Sequence, residues 1–407
     1  MRIALDARVL AAPQRRGIAK SLFRLYQALA VARPDWQVVA YHRGLHRLDL
    51  AMPDNVVEQH VIEIRGDRFD AWPRLRLPAA VRSADVDVLH CPANAGPRWM
   101  PRPTVVTVHD LIPLDMPEGR DETEVDRFEA GVRTACRRAA AVVSPSAYTQ
   151  DRLIAEHRLD PSRAFVVPWG VTTSPVDPTE PHTLTTLNRY QLDRPYILHF
   201  GAAEPRKNTR GLIEAYALMP VVYRQRVPLL ILGLDEAAKA EMTRLADSLG
   251  VPTTANPSQP VPTPTPRGLI RFAGFVPEDD LAPLLAGAIA LAYPSFAEGF
   301  GLPILEAFAA GIPVLTSDRS AIPEIAHDAA DVVNPDDRVA MTKALTRLSK
   351  DPLHRRELVH RGRQRVAAFT WKHAAEAFAT ALEHAAQQAR RPSPRVLALQ
   401  HAQRPAA

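Results

Sequence analysis

Short apolar runs alternate along this chain with longer stretches in which apolar positions recur at helical spacing. That alternation is the pattern of strands crossing over through helices into parallel sheets, and it predicts an α/β protein. Strands are expected at Ile3–Leu5, Trp36–Tyr41, Val88–His90, Val105–His109, Ala140–Ser144 and Ala164–Val167, with a helix over Ala19–Ala32. The pattern then restarts, with strands at Tyr196–Gly201, Leu229–Leu232, Ile270–Gly274, Leu291–Tyr293, Pro313–Thr316 and Ala330–Val333. Helices are expected over Asp337–Leu348, Pro352–Phe369 and Trp371–Arg390.

Between the two series, Val171–Arg194 is rich in Thr, Pro and Asp and lacks apolar periodicity until Leu192, so it reads as a connector. The organisation is therefore an N-terminal domain over 1–170, a linker over 171–194, a second domain over 195–369, a C-terminal helix over 370–390 able to return to the first domain, and a loose tail over 391–407. The proline-dense piece 251–267 reads as a surface loop. Doubly wound sheets bind ligands beyond the carboxyl ends of their strands, which puts the expected site in the crevice between the domains.

Composition narrows the chemistry. With 407 residues, 46% of them hydrophobic, the chain can form two or three domains. Two cysteines, Cys91 and Cys136, are too few for a disulfide framework or a four-ligand zinc site. The first residues turn polar at Asp6 without a leader-like apolar core, and Leu281–Ala297, a long and largely apolar uncharged stretch, is broken by Pro283, Gly287 and Pro294. A cytoplasmic protein is expected. A net charge of +5 and a pI near 9.3 are compatible with nucleic acid, an anionic bilayer or a phosphorylated small molecule. Nucleic acid is set aside because no base-stacking aromatic platform accompanies the scattered arginines.

The segment richest in chemistry runs from Tyr293 to Phe308. A strand ends near Tyr293, a turn containing Gly299 and Gly301 follows, and a helix begins near Pro303, leaving unpaired backbone N–H groups at the positive end of a helix dipole. Such a junction suits a phosphate. Glu298 in the turn and Glu306 one turn into the helix would not bind phosphate themselves; their natural partners are hydroxyls, so a nucleotide sugar fits the pair. Considered alone, the two acids would read as a helix cap and a solvated helix residue. A second strand-to-helix junction, His199 to Asn208, carries Arg206 and Lys207, two charges that can neutralise a diphosphate without a metal ion.

The Glu298-x7-Glu306 stretch, continuing through Ala310-Gly311-Ile312-Pro313-Val314 to Pro323-Glu324, resembles the donor-binding signature of family-4 glycosyltransferases, and Arg206-Lys207-Asn208 is similar to that family's diphosphate-binding motif. The resemblance implies the GT-B fold, two Rossmann-like domains facing a crevice, and a retaining transfer of a hexose from a nucleoside-diphosphate sugar. By the same resemblance Arg206 and Lys207 would hold the diphosphate and Glu306 the ribose. Glu298 would bind donor-sugar hydroxyls beside the backbone of Gly299, Phe300, Gly301 and Leu302, and Phe275 would mark the base site. In the first domain Gly17, in Arg15-Arg16-Gly17, would approach the donor phosphates, with one glycine where relatives have two. His109 would stand near the reacting carbon. Ser144-Pro145-Ser146 matches the family's serine or caps the following helix, and Trp169 replaces the more usual Asn.

Neither cofactor nor metal is implied, since no Asp-x-Asp closes a strand other than Asp85-Val86-Asp87, which looks buried. The acceptor hydroxyl is expected to attack from the leaving-group side and pass its proton to the departing phosphate. Leu5-Asp6-Ala7-Arg8 followed by Gly17-Ile18-Ala19 looks most like bacterial relatives that build mannose-containing surface polysaccharides, which puts GDP-mannose first among donors, ahead of UDP-glucose and other activated hexoses. A glycan or lipid-diphosphate-linked saccharide is the expected acceptor. Arginines 65, 68, 74, 76 and 82 with Phe69, Trp72, Leu75 and Leu77 suit either an anionic membrane surface or an ordinary packed helix and loop. An epimerase or phosphorylase of the same architecture is the alternative, and would act without an acceptor.

Overall fold

The structure, a computed structural model, describes residues 1–11, 17–43, 53–61, 72–172, 179–192, 195–254 and 269–390. Arg15, Arg16, Arg65, Arg68, Phe69, most of the proline-dense stretch and the tail from Arg391 lie outside the described residues. The chain divides into two units, Met1–Gly170 with the C-terminal segment from Trp371, and Val171–Thr370.

The first unit is built on β1 (Arg2–Asp6), β2 (Gln37–Arg43), β3 (Val56–Val61), β4 (Val88–Cys91), β5 (Thr104–Thr107), β6 (Ala141–Ser144) and β7 (Ala164–Val166). These pair in parallel in the order β3-β2-β1-β4-β5-β6-β7, so the order reverses between β1 and β4. Ala4, Leu89, Val106 and Val142 alternate along adjacent strands into one core beneath Val132 and Leu153 of the covering helices. Helix Trp371–Arg390 packs on helix Gly17–Ala32 and buries Phe378 against Tyr26, ring centroids 6.0 Å apart. At the end of β1 the buried Asp6 fixes Arg8 through Nε (2.9 Å) and Nη2 (2.8 Å).

The second unit repeats the plan with β8 (Ile197–Phe200), β9 (Leu229–Leu232), β10 (Thr253–Thr254), β11 (Ile270–Gly274), β12 (Ala290–Tyr293), β13 (Val314–Ser317) and β14 (Asp331–Val333). The parallel order is β10-β11-β9-β8-β12-β13-β14, reversing between β8 and β12.

Several expectations are corrected. The connector contains a helix, Pro181–Arg189, which buries Thr183 and Thr186 and packs on helix Glu278–Ala286; its inward face is threonine, which apolar periodicity does not register. Strand β3 was missed because alternation is weak in Val-Val-Glu-Gln-His-Val. The two-residue β10 falls at the start of the stretch read as a loop. Asp85 and Asp87 are exposed, engaged by the Arg2 guanidinium (3.0 Å) and the Arg2 N–H (2.8 Å) respectively. Within the segment of arginines 65–82, Trp72 and Leu77 are fully buried in the first core and Leu75 is exposed. Both cysteines are buried and unpaired.

Candidate active site

In the second unit, the loops leaving β8 and β12 lie on either side of the reversal in strand order, the position where open sheets bind ligands. After β8, Pro205–Lys207 makes a single tight turn and Asn208, at φ 55°, starts helix Thr209–Ala217. Asparagine tolerates this left-handed conformation better than most residues. Its Nδ2 donates to the carbonyls of Pro294 (3.2 Å) and Pro335 (2.8 Å), while the Phe296 N–H donates to the Arg206 carbonyl (2.7 Å). These bonds hold Arg206 and Lys207 against the segment after β12.

What they meet there is Glu298. A single carboxylate oxygen, Oε1, accepts from Arg206 Nη1 (2.8 Å), Lys207 Nζ (2.8 Å) and the Tyr293 hydroxyl (2.7 Å). Lys207 also donates to the Tyr293 hydroxyl and sits 4.5 Å from that ring's centroid. The side chains of Arg206, Lys207 and Glu298 are only 18%, 13% and 11% exposed, which is where such pairing matters. Burial alone would raise the Glu298 carboxyl, but the Lys207 and Arg206 charges, with hydrogen bonds from Lys207 and Tyr293, hold it below the usual carboxylate range. Burial, and then the Glu298 charge, raises the Tyr293 phenol, which therefore stays a donor.

The expected bare pair of cations is thus a buried ion-pair cluster. Three groups carry a net charge of +1 before Glu204, whose Oε2 accepts from Arg206 Nε at 2.6 Å, is counted. Arg206 Nη2 and Glu298 Oε2 have no partner among the described residues, leaving one donor edge for a diphosphate oxygen and one acceptor for a sugar hydroxyl.

Beyond Glu298, Gly301 at φ 112° caps helix Leu302–Ala309, with Pro303 in its first turn. The positive φ is the reason for glycine at that position. Phe300 points inward, edge-on to Phe369 with centroids 5.9 Å apart, so only its backbone can face a ligand. Gly299 and Leu302 are partly buried and Glu306 is exposed on the helix. Phe275 is 78% exposed directly after Gly274, which takes φ 62°. His199, buried between the Ala292 carbonyl (2.8 Å) and Thr209 Oγ1 (2.9 Å), is pushed down to about 4 by burial and braces β8, β12 and the helix after Asn208.

In the first unit, His109 follows β5 and is buried. Its Nε2 lies 2.6 Å from the Pro92 carbonyl and must carry the hydrogen, while the His109 backbone N–H donates to Asn94 Oδ1 at 2.7 Å. Burial, partly opposed by the Pro92 bond, pushes the ring down to about 4. His109 is therefore neutral at pH 7 with an acceptor Nδ1. Trp169 fills the space beside it, 5.8 Å from the His109 ring and 6.4 Å from Trp371. Ser146 caps helix Ala147–His157 by accepting the Thr149 N–H (3.2 Å), whereas Ser144 Oγ is buried without a partner among the described residues. Gly17 opens helix Gly17–Ala32, and no described atom lies within 4 Å of where its Cβ would stand, so packing does not demand a glycine there.

Sequence reasoning missed Tyr293, Glu204 and Ser320. Tyr293 had a signal, a hydroxyl-bearing aromatic as the last residue of the strand at the reversal point. Glu204 looked like one more loop acid. Ser320, at φ 53° with Oγ accepting the Glu298 N–H (2.8 Å), comes from the loop after β13 and had none.

Two parallel seven-stranded sheets that each reverse their strand order are the architecture of GT-B glycosyltransferases. Residues 194–351 match the family model described as glycosyl transferases group 1, and residues 15–175 match that of glycosyltransferase family 4. O-antigen chain mannosyltransferase B of Escherichia coli is 30% identical over 306 residues, which cover 75% of this chain and 74% of that protein. The serotype-specific mannosyltransferase WbdA of Escherichia coli is 30% identical over 284 residues, 68% of this chain, and the match spans only 33% of the longer WbdA. Among solved structures, HepE of Anabaena in complex with UDP and glucose superposes with a TM-score of 0.69 at 20% identity, covering 94% of this chain and 99% of that one. The chain belongs to the group 1, family-4 glycosyltransferases and is a glycosyl-transferring enzyme.

Proposed function

We propose that this enzyme moves a hexose, mannose from GDP-mannose in the first instance, onto a glycan or lipid-diphosphate-linked saccharide during surface polysaccharide synthesis, retaining the anomeric configuration and using no metal ion. The observation that carries the reading is the Arg206–Lys207–Glu298–Tyr293 cluster at the reversal between β8 and β12. Cleavage of a sugar–diphosphate bond develops negative charge on the departing phosphate, and preorganised cations are the largest available source of stabilisation. Arg206 Nη2 and the remaining Lys207 N–H would meet that charge. Glu298 Oε2 would accept a donor-sugar hydroxyl, Glu306 the ribose hydroxyls, and the amides around Gly299–Leu302 a phosphate oxygen, with Phe275 and Gly17 near the base and the phosphates.

Neutral His109 would accept a hydrogen bond from the sugar at Nδ1, and the acceptor's proton would leave with the phosphate. The choice of mannose draws its support from the names of the two Escherichia coli relatives. The reaction would take place in the cytoplasm, with the first unit resting peripherally on anionic lipid; no helix among the described residues is long and apolar enough to cross a membrane. Arg82, 5.5 Å from the ring of the half-exposed Trp99, supports that contact. Nucleoside diphosphate release over a donor panel, with and without lipid-linked saccharides, tests the whole. Acceptor-dependent GDP release from GDP-mannose is expected; acceptor-independent isomerisation of the donor would indicate an epimerase instead.

A further inference from the structure

The amino-terminal ends of β5, β6 and β7 surround a surface pocket of about 420 Å3, at the opposite end of the sheet from His109 and so separate from the candidate site. Its walls carry three guanidiniums, Arg102, Arg138 and Arg163, with Gln388 at one side and no acidic residue among the described residues that line it. Each arginine is anchored by backbone carbonyls. Arg102 Nη2 donates to Ala84 (2.9 Å), Arg138 Nη1 to Arg98 (2.7 Å), and Arg163 through Nη1 and Nη2 to Ala139 and Cys136 (both 2.8 Å).

Arg163 thereby closes the carboxyl end of helix Glu122–Arg138, which accounts for one of the three charges. The other two have no carboxylate partner among the described residues. A guanidinium offers five N–H donors in a fixed fork, and here Arg102 and Arg138 each use one. Arg102 Nε is buried with no partner among the described residues, and a buried donor is unfavourable unless something accepts from it. Two adjacent guanidiniums with open donors and no carboxylate among the described residues are complementary to a multiply charged oxyanion.

We propose that this pocket binds a phosphate-bearing group, diphosphate or phosphate monoester, through Arg102 and Arg138, whether on a free small molecule or a lipid headgroup. The proposal does not rest on the assignment of the donor site, and the test separates the two. Isothermal titration of the whole chain with pyrophosphate should show two classes of site, one lost in R206A/K207A and the other weakened about ten-fold in R138Q and abolished in R138E. Arg138 is exposed and holds a single bond, so both variants should fold; matching thermal transitions check this. Sedimentation with phosphatidic acid vesicles, against phosphatidylcholine, distinguishes the source: pelleting that R138E abolishes assigns the lipid headgroup. If R138E leaves both pyrophosphate binding and vesicle pelleting unchanged, the pocket is not an anion site, whatever R206A/K207A does. Loss of binding in R138E alone, with R206A/K207A like wild type, would instead count against the donor clamp.

Discussion

The Tyr293 hydroxyl donates to Glu298 Oε1 at 2.7 Å, the same oxygen that Arg206 and Lys207 share. With Oε1 fully engaged, Glu298 can rotate little, and Oε2 is the atom left to read a ligand. Removing only the hydroxyl, in Y293F, should loosen that aim. A hydrogen bond to a buried charge is worth about 1.5–3 kcal/mol, so kcat/KM for the donor should fall roughly 10- to 100-fold while the thermal transition moves only a few degrees. Unchanged steady-state constants in Y293F would remove Tyr293 from the machinery.

Replacing Lys207 by methionine leaves Glu298 with one cation fewer, and replacing both Arg206 and Lys207 leaves a buried carboxylate uncompensated. Breaking a buried pair by removing one side costs about 3–5 kcal/mol. The double variant should therefore lose turnover and also melt early, and adding E298Q should restore stability but not activity. Calorimetry alongside a GDP-release assay reads both.

Acid should act on the same cluster. The Glu298 carboxyl is held below its unfolded value, so its contribution to stability is present above the unfolded pKa and disappears as pH falls through the lower folded value. E298Q should flatten stability against pH in that acidic window and lower it near neutrality, where the wild-type carboxylate makes its full contribution. Denaturant titrations at a series of pH values provide the check.

Buried histidines add a second window at higher pH. His109 and His199 are pushed from 6.5 to about 4, and His90 to about 3, chiefly by burial. The unfolded chain takes up these protons first, so stability is complete above 6.5 and declines as pH falls towards 4, by about 1 kcal/mol per pH unit for each histidine. The thermal transition should drop between pH 7 and pH 5, and H199Q should reduce that drop in the second unit. A transition independent of pH over that range contradicts the burial argument.

Since Arg206 and Lys207 are assigned the neutralising role, chelation by EDTA should leave initial rates within about two-fold of the untreated enzyme, a change under about 0.5 kcal/mol in barrier. A large loss restored by Mg2+ or Mn2+ would transfer that role to a metal.

Much of this was legible in the linear order of residues. Runs such as Leu229–Leu232 and Ala290–Tyr293 sit where their continuous apolarity put them, because a strand covered on both faces needs nothing else. Gly301, Pro303 and the Glu298–Glu306 spacing marked a strand-to-helix junction, since backbone conformation and helix dipoles are local properties. The helix at Pro181–Arg189 escaped notice because its buried face is threonine, and the contact of Tyr293 with Lys207 because the two residues are far apart in the chain.

What the chain encodes by itself is therefore the sequence of elements, the positions of their ends and the chemical types available at those ends. The tertiary structure alone decided which oxygen of Glu298 is occupied and which is open, that Arg206 and Lys207 share one carboxylate, that Ser320 reaches the Glu298 amide, and that Arg102 and Arg138 have no carboxylate partner among the described residues at the far end of the first sheet. The reason is physical: local conformation depends on near neighbours, whereas a buried charge takes its protonation and its partners from residues that meet only when separate loops of a sheet are brought to one edge.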